Sequence, residues 1–274
     1  MARPAAGLPI RVNGRGDLDY DVGLAVASGG GWIMTDRVRI GMLTPSSNTT
    51  LEPVTAAMLA GLPEASAHFG RFEVTEIALS ERALGQFDEA EILRAARLLA
   101  HAKVHVIGWN GTSAGWKGFA ADDDLCAAIT RETGIPACTS VLALNEIFAR
   151  TGVRRFGLVT PYTDDVQDRI VANYAGAGIA CAAERHGGRR DNFSFSEVTA
   201  DEIRAMVREV AAARPDAITI FCTNLRGAPL VAALEAATGI PIYDTVATVL
   251  WKCLQLAGAD VRRVKGWGRL FGEV

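Results

Sequence analysis

One thiol and a set of hydroxyl groups follow the apolar runs of this chain. Cys222 ends the run DAITIFC and is followed by Thr223. In the first half of the chain, Gly111 holds the equivalent position and is followed by Thr112 and Ser113. A thiol can donate a proton to carbon or remove one, and hydroxyl donors stabilise negative charge that develops on a carboxylate. We therefore interpret Cys222 as the acid/base group of a small-carboxylate site in which Gly111 marks the place of an absent partner thiol.

Two further loops carry candidate binding groups. PSSNTT supplies Pro45, Ser46 and Asn48, and PYTDDV supplies Tyr162. The set PSSNTT, GTS, PYT and CTN, the last of which includes Thr223, contains no Lys, Arg or His. Such residues also cap helices and close turns, which explains any one of them equally well. Four such loops at equivalent positions favour a site that binds a carboxylate or an enediolate through neutral donors.

An internal repeat relates these loops to each other. Three segment pairs match in the same order, at offsets of roughly 105 to 116 residues: VRIGMLTPSSN (38–48) with RRFGLVTPYTD (154–164), VIGWNGTS (106–113) with AITIFCTN (217–224), and TGIPACTSVLAL (from Thr133) with TGIPIYDTVATVL (from Thr238). Because order and spacing are both preserved, we interpret the chain as a duplication.

Strands and helices are predicted to alternate within each half. Short apolar runs predict buried parallel strands at 38–44, 104–109, 156–160 and 217–221. Apolar residues at helical spacing predict helices at 89–101, 122–132, 165–175, 200–213 and 228–237. This alternation indicates βαβ units. We predict an α/β fold of two pseudo-symmetric Rossmann-like lobes, each a parallel sheet flanked by helices. The ligand would bind in the cleft between them, beyond the carboxyl ends of the strands.

The predicted domain boundaries follow from the repeat. Residues 37–151 together with 262–274 form the first lobe, and residues 152–261 form the second. Residues 1–36 are Gly-rich and weakly patterned, and we expect a disordered or weakly ordered extension there. A chain of 274 residues that is 49% hydrophobic has enough apolar side chains for two cores.

Composition restricts the class of partner. The net charge of −3 and the scattered basic residues give no basic surface for nucleic acid, so a small molecule is the expected partner. No apolar stretch approaches the roughly 20 residues of a membrane span, and we expect a cytoplasmic protein. The five cysteines lack the spacing of zinc ligands, so free thiols and no bound metal are expected. The sequence is compatible with a homo-oligomer.

The ordered set of PSSNTT, GTS, PYTDDV, Cys222 and the closing GWGRLF resembles the aspartate/glutamate racemase superfamily. Within it, the chain is most similar to the branch that contains arylmalonate decarboxylase and maleate cis-trans isomerase, over about residues 37 to 274. Racemases of this superfamily use two cysteines on opposite faces of the substrate carbon and need no cofactor. The isomerases carry both cysteines as well. Gly111 departs from that pattern, which disfavours two-base racemisation and covalent isomerisation.

Arylmalonate decarboxylases have glycine in the first lobe and cysteine in the second, as this chain has at Gly111 and Cys222. The resemblance implies that Thr112, Ser113 and Tyr162 bind the carboxylate that becomes an enediolate. It also implies that Cys222 protonates this intermediate from one face. An ordinary thiol pKa near 8.5 keeps most of the group protonated at neutral pH, as an acid requires.

Other positions resemble the isomerases instead. Ser46 and Asn48 match the isomerase loop that binds a carboxylate, and Asn192 in RRDNFSF lies where the isomerases have a second such asparagine. We therefore expect a small polar diacid as substrate. The hypothesis is a decarboxylase without cofactor or metal. The alternatives are an isomerase or racemase with a different second acid/base, and a carboxylate-binding protein without catalysis.

Overall fold

The computed structural model describes residues 37–274 and two short segments near the amino terminus. The chain divides into two units, Met1–Thr35 and Asp36–Val274. In the first unit, β1 (Arg11–Val12) pairs antiparallel with β2 (Leu18–Asp19). The remainder of the extension predicted over residues 1–36 lies outside the described residues.

The second unit is built on two four-stranded parallel sheets. The first has the order β4-β3-β5-β6 and the second the order β8-β7-β9-β10. Their strands are β3 (Val38–Pro45), β4 (Ala65–Phe72), β5 (Val106–Trp109), β6 (Ala137–Thr139), β7 (Arg155–Thr160), β8 (Ala180–His186), β9 (Ala217–Ile220) and β10 (Ile242–Asp244). The two sheets repeat the same strand order along the chain. The predicted fold class and the duplication are confirmed.

Helices connect these strands and cover the sheets. They are α1 (Leu51–Leu59), α2 (Glu81–Gly85), α3 (Glu89–His101), α4 (Ala114–Lys117), α5 (Ala120–Thr133), α6 (Ser140–Thr151), α7 (Asp164–Gly176), α8 (Ala200–Ala211), α9 (Val231–Thr238), α10 (Thr245–Leu256) and α11 (Leu270–Glu273). Short 3₁₀ turns occur at Phe193–Glu197, Ala228–Leu230 and Val261–Arg263. All helices in the described part of the chain are too short or too polar to span a bilayer.

The predicted helices are all present, with small differences at their ends. One helix boundary and one strand boundary differ for a visible reason. The helix predicted from residue 228 begins as a 3₁₀ turn, and α9 starts only at Val231. Pro229 lies in this first turn. A backbone N–H in the first turn has no acceptor within the helix, so the missing N–H of proline costs no hydrogen bond there. Strand β5 begins at Val106 rather than at residue 104, because the chain still turns out of α3 at Lys103, whose φ is +51°.

The last helix of each sheet packs across to the other half. Helix α10 follows β10 of the second sheet but packs against α6 and against β5 of the first sheet. Phe148 of α6 contacts aromatic rings of the second sheet, with ring centroids 5.7 Å from Phe156 and 6.2 Å from Tyr243. This exchange joins the two halves through one apolar core, so the ends of their strands are held in a fixed relation.

Candidate active site

The carboxyl ends of β3, β5, β7 and β9 surround a small buried cavity. Seven of the ten predicted site residues line it: Pro45, Gly111, Thr112, Tyr162, Asn192, Cys222 and Thr223. The other lining residues are apolar or aromatic: Val74, Ile77, Phe87, Trp109 and Trp116. None of these residues, which all belong to the described range 37–274, carries a charge. The loops that the repeat relates in sequence therefore meet around one space.

The remaining three predicted residues lie elsewhere. The Ser46 hydroxyl accepts a hydrogen bond from the Val74 N–H at 3.1 Å, behind the cavity wall. The Asn48 amide donates to the Thr223 carbonyl oxygen at 3.1 Å. Ser113 lines a neighbouring cavity instead. Asn48 therefore connects the first-sheet loop to the loop that carries Cys222, and in this structure it positions the Cys222 loop.

Cys222 is a buried thiol at the end of β9. Its side chain is 2% exposed, and the Asn224 N–H donates to its Sγ at 3.4 Å. Burial raises the pKa of Cys222 to about 11, although the Tyr162 hydroxyl and the backbone N–H groups of Asn224 and Leu225 lower it. The group is therefore a neutral thiol across the physiological pH range, suited to donate a proton.

Tyr162 and Thr112 form a hydrogen-bonded pair that bridges the two halves. Their hydroxyl oxygens are 2.6 Å apart, and the tyrosine is 2% exposed. Burial, and secondly the neighbouring Cys222, raise the pKa of Tyr162 well above its ordinary value. The phenol therefore stays protonated. Together with Thr112 it presents neutral hydroxyl donors to a cavity in which negative charge would otherwise lack compensation.

Gly111 faces an aromatic ring. A Cβ atom built on this glycine would lie 1.9 Å from Cζ2 and 2.2 Å from Cε2 of Trp109. The Trp109 ring is 1% exposed and packs against Phe72, with centroids 5.1 Å apart, and against Phe87 at 6.5 Å. The indole thus fills the volume that a first-lobe side chain would need, and Cys222 is the only cysteine among the lining residues.

Two loops, residues 73–88 and 187–198, pair beside the cavity. The Ile77 N–H donates to the Arg190 carbonyl oxygen at 2.8 Å, and the Asn192 N–H donates to the Thr75 carbonyl oxygen at 2.9 Å. The Asn192 side chain donates to the Ser47 hydroxyl at 2.8 Å. The cavity measures about 20 Å³, which is room for about one water molecule. A diacid does not fit into this volume, so the residues around the cavity have to move when one binds.

The sequence predictions missed the aromatic and apolar walls. Trp109 ends strand β5 next to a predicted loop, so the sequence placed this residue near the site. It did not show which way the indole ring points. Val74, Ile77 and Phe87 belong to the 73–88 loop, which follows the edge strand β4. That strand has the sequence ASAHFGRF, without a run of apolar residues. No local pattern marked this segment as part of the site.

A second buried acid lies at the start of α10. Asp244 is 1% exposed, and its Oδ1 caps the helix by accepting from the Val246 N–H at 2.8 Å. Its Oδ2 has no side-chain or backbone hydrogen-bond partner within the geometric limits among the residues described. Burial raises the pKa of Asp244 to about 7, against the lowering effect of nearby backbone N–H groups. The folded protein therefore binds this proton more tightly than the unfolded chain does.

We expect Asp244→Asn to flatten the pH dependence of stability. The contribution of the Asp244 proton is fully present below about pH 4 and is lost as the pH rises through about 7. Wild type should lose about 2 kcal/mol more of its unfolding free energy than the variant between pH 5 and pH 8. Urea denaturation at both pH values measures this difference. Asp88→Asn, at the exposed cap of α3, is the matched control. Parallel curves for wild type and Asp244→Asn would contradict the prediction.

The fold and the site together define the class of protein. Two duplicated parallel sheets with a thiol and neutral donors in the cleft between them are the arrangement of the aspartate/glutamate racemase superfamily. The family model described as arylmalonate decarboxylase matches residues 40–271. The chain belongs to that family.

The similar proteins are decarboxylases and isomerases. The arylmalonate decarboxylase of Bordetella bronchiseptica is 28% identical over 237 residues, which are 85% of this chain and 96% of the relative. The maleate isomerase of Nocardia farcinica is 26% identical over 242 residues, 86% of this chain and 96% of the relative. These relatives are enzymes, in agreement with the enzyme class predicted from the sequence.

Solved structures agree with both relationships. A mutant of Nocardia farcinica maleate cis-trans isomerase, with a covalently bound succinylcysteine intermediate, superposes with a TM-score of 0.78 at 25% identity. That alignment covers 86% of this chain and 99% of the isomerase. A crystal structure of arylmalonate decarboxylase superposes with a TM-score of 0.70 at 25% identity, over 86% of this chain and all of that chain. The family is therefore established, and both activities occur among the proteins similar to this chain.

Proposed function

We propose that this enzyme decarboxylates a small malonate-like diacid through an enediolate that Cys222 protonates. The observation that carries the proposal is the asymmetry of the cavity. The Cys222 thiol lines the cavity, and the equivalent position of the first half is Gly111, which also lines the cavity and whose Cβ position is occupied by the Trp109 ring. A reaction that needs one proton donor and no second base fits this arrangement.

The chemistry balances with the groups present. The bond between C2 and one carboxylate carbon breaks, and carbon dioxide leaves. The electron pair of that bond spreads onto the remaining carboxylate, which becomes an enediolate. The hydroxyl groups of Thr112 and Tyr162 donate to its oxygens. Cys222 then transfers its proton to C2, and the resulting thiolate regains a proton from water.

The electrostatics of the cavity favour this sequence of events. Charge develops during the loss of carbon dioxide, and donors already in place stabilise it without reorganisation. The raised pKa of Cys222 keeps the acid loaded before the reaction. Because the lining residues carry no charge, the cavity does not bind the dianion tightly. For the same reason it releases the monocarboxylate product readily.

A cis-trans isomerase is the second candidate. Its support is the superposition on the maleate isomerase at a TM-score of 0.78 and the presence of Asn192 on the cavity wall. A covalent mechanism would need a thiolate that attacks the alkene. Cys222, whose pKa is raised to about 11 by burial, is a weak nucleophile in that state. The decarboxylase is therefore the better supported of the two.

The deciding experiment is incubation of the full-length enzyme in D₂O with 2-methylmalonate, 2-ethylmalonate and maleate, followed by NMR. We expect loss of carbon dioxide from a malonate and one deuterium at C2 of the product, with a single configuration where the product is chiral. Conversion of maleate to fumarate without decarboxylation of any malonate would favour the isomerase. Binding of these diacids with neither turnover nor exchange at C2 would favour a binding protein.

A further inference from the structure

A second cavity adjoins the reaction cavity. It measures about 70 Å³ and shares the rings of Phe87 and Trp109 with the reaction cavity as common walls. Glu89, Ser113, Lys117 and Asp122 supply its polar lining. We call it the side chamber. Its polar groups distinguish it from the apolar wall of the reaction cavity.

Asp122 is the unusual group of the side chamber. The residue is 2% exposed, and its Oδ2 has no hydrogen-bond partner among the residues that the structure describes. Its carboxyl also interacts with the Thr139 hydroxyl, and burial raises its pKa to about 7 in spite of Thr139 and Lys117. A buried carboxyl oxygen without a partner destabilises the folded protein, and a donor bound in the adjacent cavity would relieve this cost.

The walls of the side chamber offer a second unsatisfied group and a means of access. The Trp109 indole N–H is buried without an acceptor among the described residues. Phe87 belongs to the 73–88 loop and lines the reaction cavity, whose surroundings have to move when a diacid binds. A movement of Phe87 withdraws one of the two rings that separate the chambers. A substrate held at Thr112 and Tyr162 could then extend past Trp109 toward Asp122.

We propose that the side chamber binds the C2 substituent of the diacid, and that this substituent ends in a hydrogen-bond donor, a hydroxyl or an ammonium group, that binds Asp122. This inference rests on the proposed function, because it assigns the substituent of the same substrate. The small volume limits the substituent to two or three heavy atoms. The Lys117 Nζ lies 5.7 Å from the Phe87 ring centroid, at the chamber wall. This cation and the Glu89 carboxylate of the lining have opposite effects on an ammonium group, so the chamber accepts either donor.

The test compares two malonates of equal size at pH 8, 2-(2-hydroxyethyl)malonate and 2-propylmalonate, with 2-(2-aminoethyl)malonate as the ammonium probe. We expect wild type to prefer the hydroxyl compound over the propyl compound by about tenfold to a hundredfold in kcat/KM, the usual range for a hydrogen bond to a charged group. Asp122→Leu should abolish that preference. Asp122→Asn keeps an acceptor and the side-chain shape, so it should retain part of it.

The controls separate this inference from the proposed function. Asp123→Asn alters the exposed neighbour and should leave the preference unchanged. Decarboxylation of both compounds at equal rates, unaffected by Asp122→Leu, would overturn the inference and leave the proposed function standing. If no malonate is decarboxylated, the proposed function fails, and calorimetric titration with the same compounds decides the inference. A tenfold binding preference that disappears in Asp122→Leu would support it, and equal dissociation constants would overturn it.

Discussion

Cys222→Ser should lower kcat for malonate decarboxylation by about 10² to 10⁴-fold, the usual contribution of a positioned general acid. A serine hydroxyl is a far weaker acid than a thiol, so protonation of the enediolate becomes slow. The substitution is nearly isosteric, and the buried position at the end of β9 should still fold. Thermal unfolding and circular dichroism of the variant verify this. Binding of a non-reactive diacid should change little, because Cys222 acts after the carboxylate is bound.

The matched control is Cys181→Ser. This cysteine lies half-buried on the edge strand β8, and its thiol donates to the Ala183 carbonyl oxygen at 3.4 Å. We expect wild-type activity from this variant. If Cys222→Ser retained activity within about threefold of wild type, Cys222 would not be the proton donor.

The pH dependence of kcat provides a second test of Cys222 as the proton donor. Because burial raises the pKa of Cys222 to about 11, the thiol stays protonated between pH 6 and pH 9. Loss of the acid with rising pH should therefore begin only above that interval. A decline in kcat with a midpoint near the ordinary thiol pKa of about 8.5 would contradict the assignment of the buried Cys222 thiol as the acid.

Gly111→Ala should destabilise the protein by about 1 to 3 kcal/mol, the usual cost of overpacking a core. The added Cβ would lie 1.9 Å from the Trp109 ring, so the indole has to move from its place against Phe72. Thr112 follows Gly111 directly, so the displacement should also disturb its 2.6 Å contact with Tyr162. We expect kcat to fall along with stability.

A double-mutant cycle tests the physical cause. Trp109→Leu removes the ring that the new Cβ meets, so Gly111→Ala in that background should cost less than about 1 kcal/mol. Urea denaturation of the four proteins measures the coupling. Gly85→Ala is the control, because a Cβ there meets nothing within 4 Å. Additive losses in the cycle would show that Trp109 is not the obstacle at Gly111.

Much of the architecture could be predicted from the sequence. The runs that became β3, β5, β7 and β9 are apolar and local, and the repeat assigned them to two equivalent halves. The edge strands were not predicted. Strands β6 and β10 span only three residues each, and β4 and β8 have the sequences ASAHFGRF and ACAAERH, which alternate small, polar and charged residues. The latter two acquire strand structure by pairing with β3 and β7, which a local pattern does not report.

Part of the site could likewise be predicted from the sequence, and part could not. Residue type and repeat position were enough to predict that Cys222, Thr112, Tyr162 and Gly111 share one place, since parallel strands end at the same edge of a sheet. The position of Asn48 could not be predicted in this way. Its amide contacts Thr223, 175 residues away along the chain, and that partner is known only when the two halves are joined.

The sequence by itself determined the duplicated parallel fold, the loops that carry the chemistry and the presence of one thiol where the superfamily pattern has two. These follow from short-range periodicity and from a repeat that can be read along the chain. Only the tertiary structure decided that Trp109 fills the space beside Gly111, that two loops pair beside the cavity and that burial raises the pKa of Cys222. Each depends on side-chain direction and on burial, which arise from contacts between residues far apart in sequence.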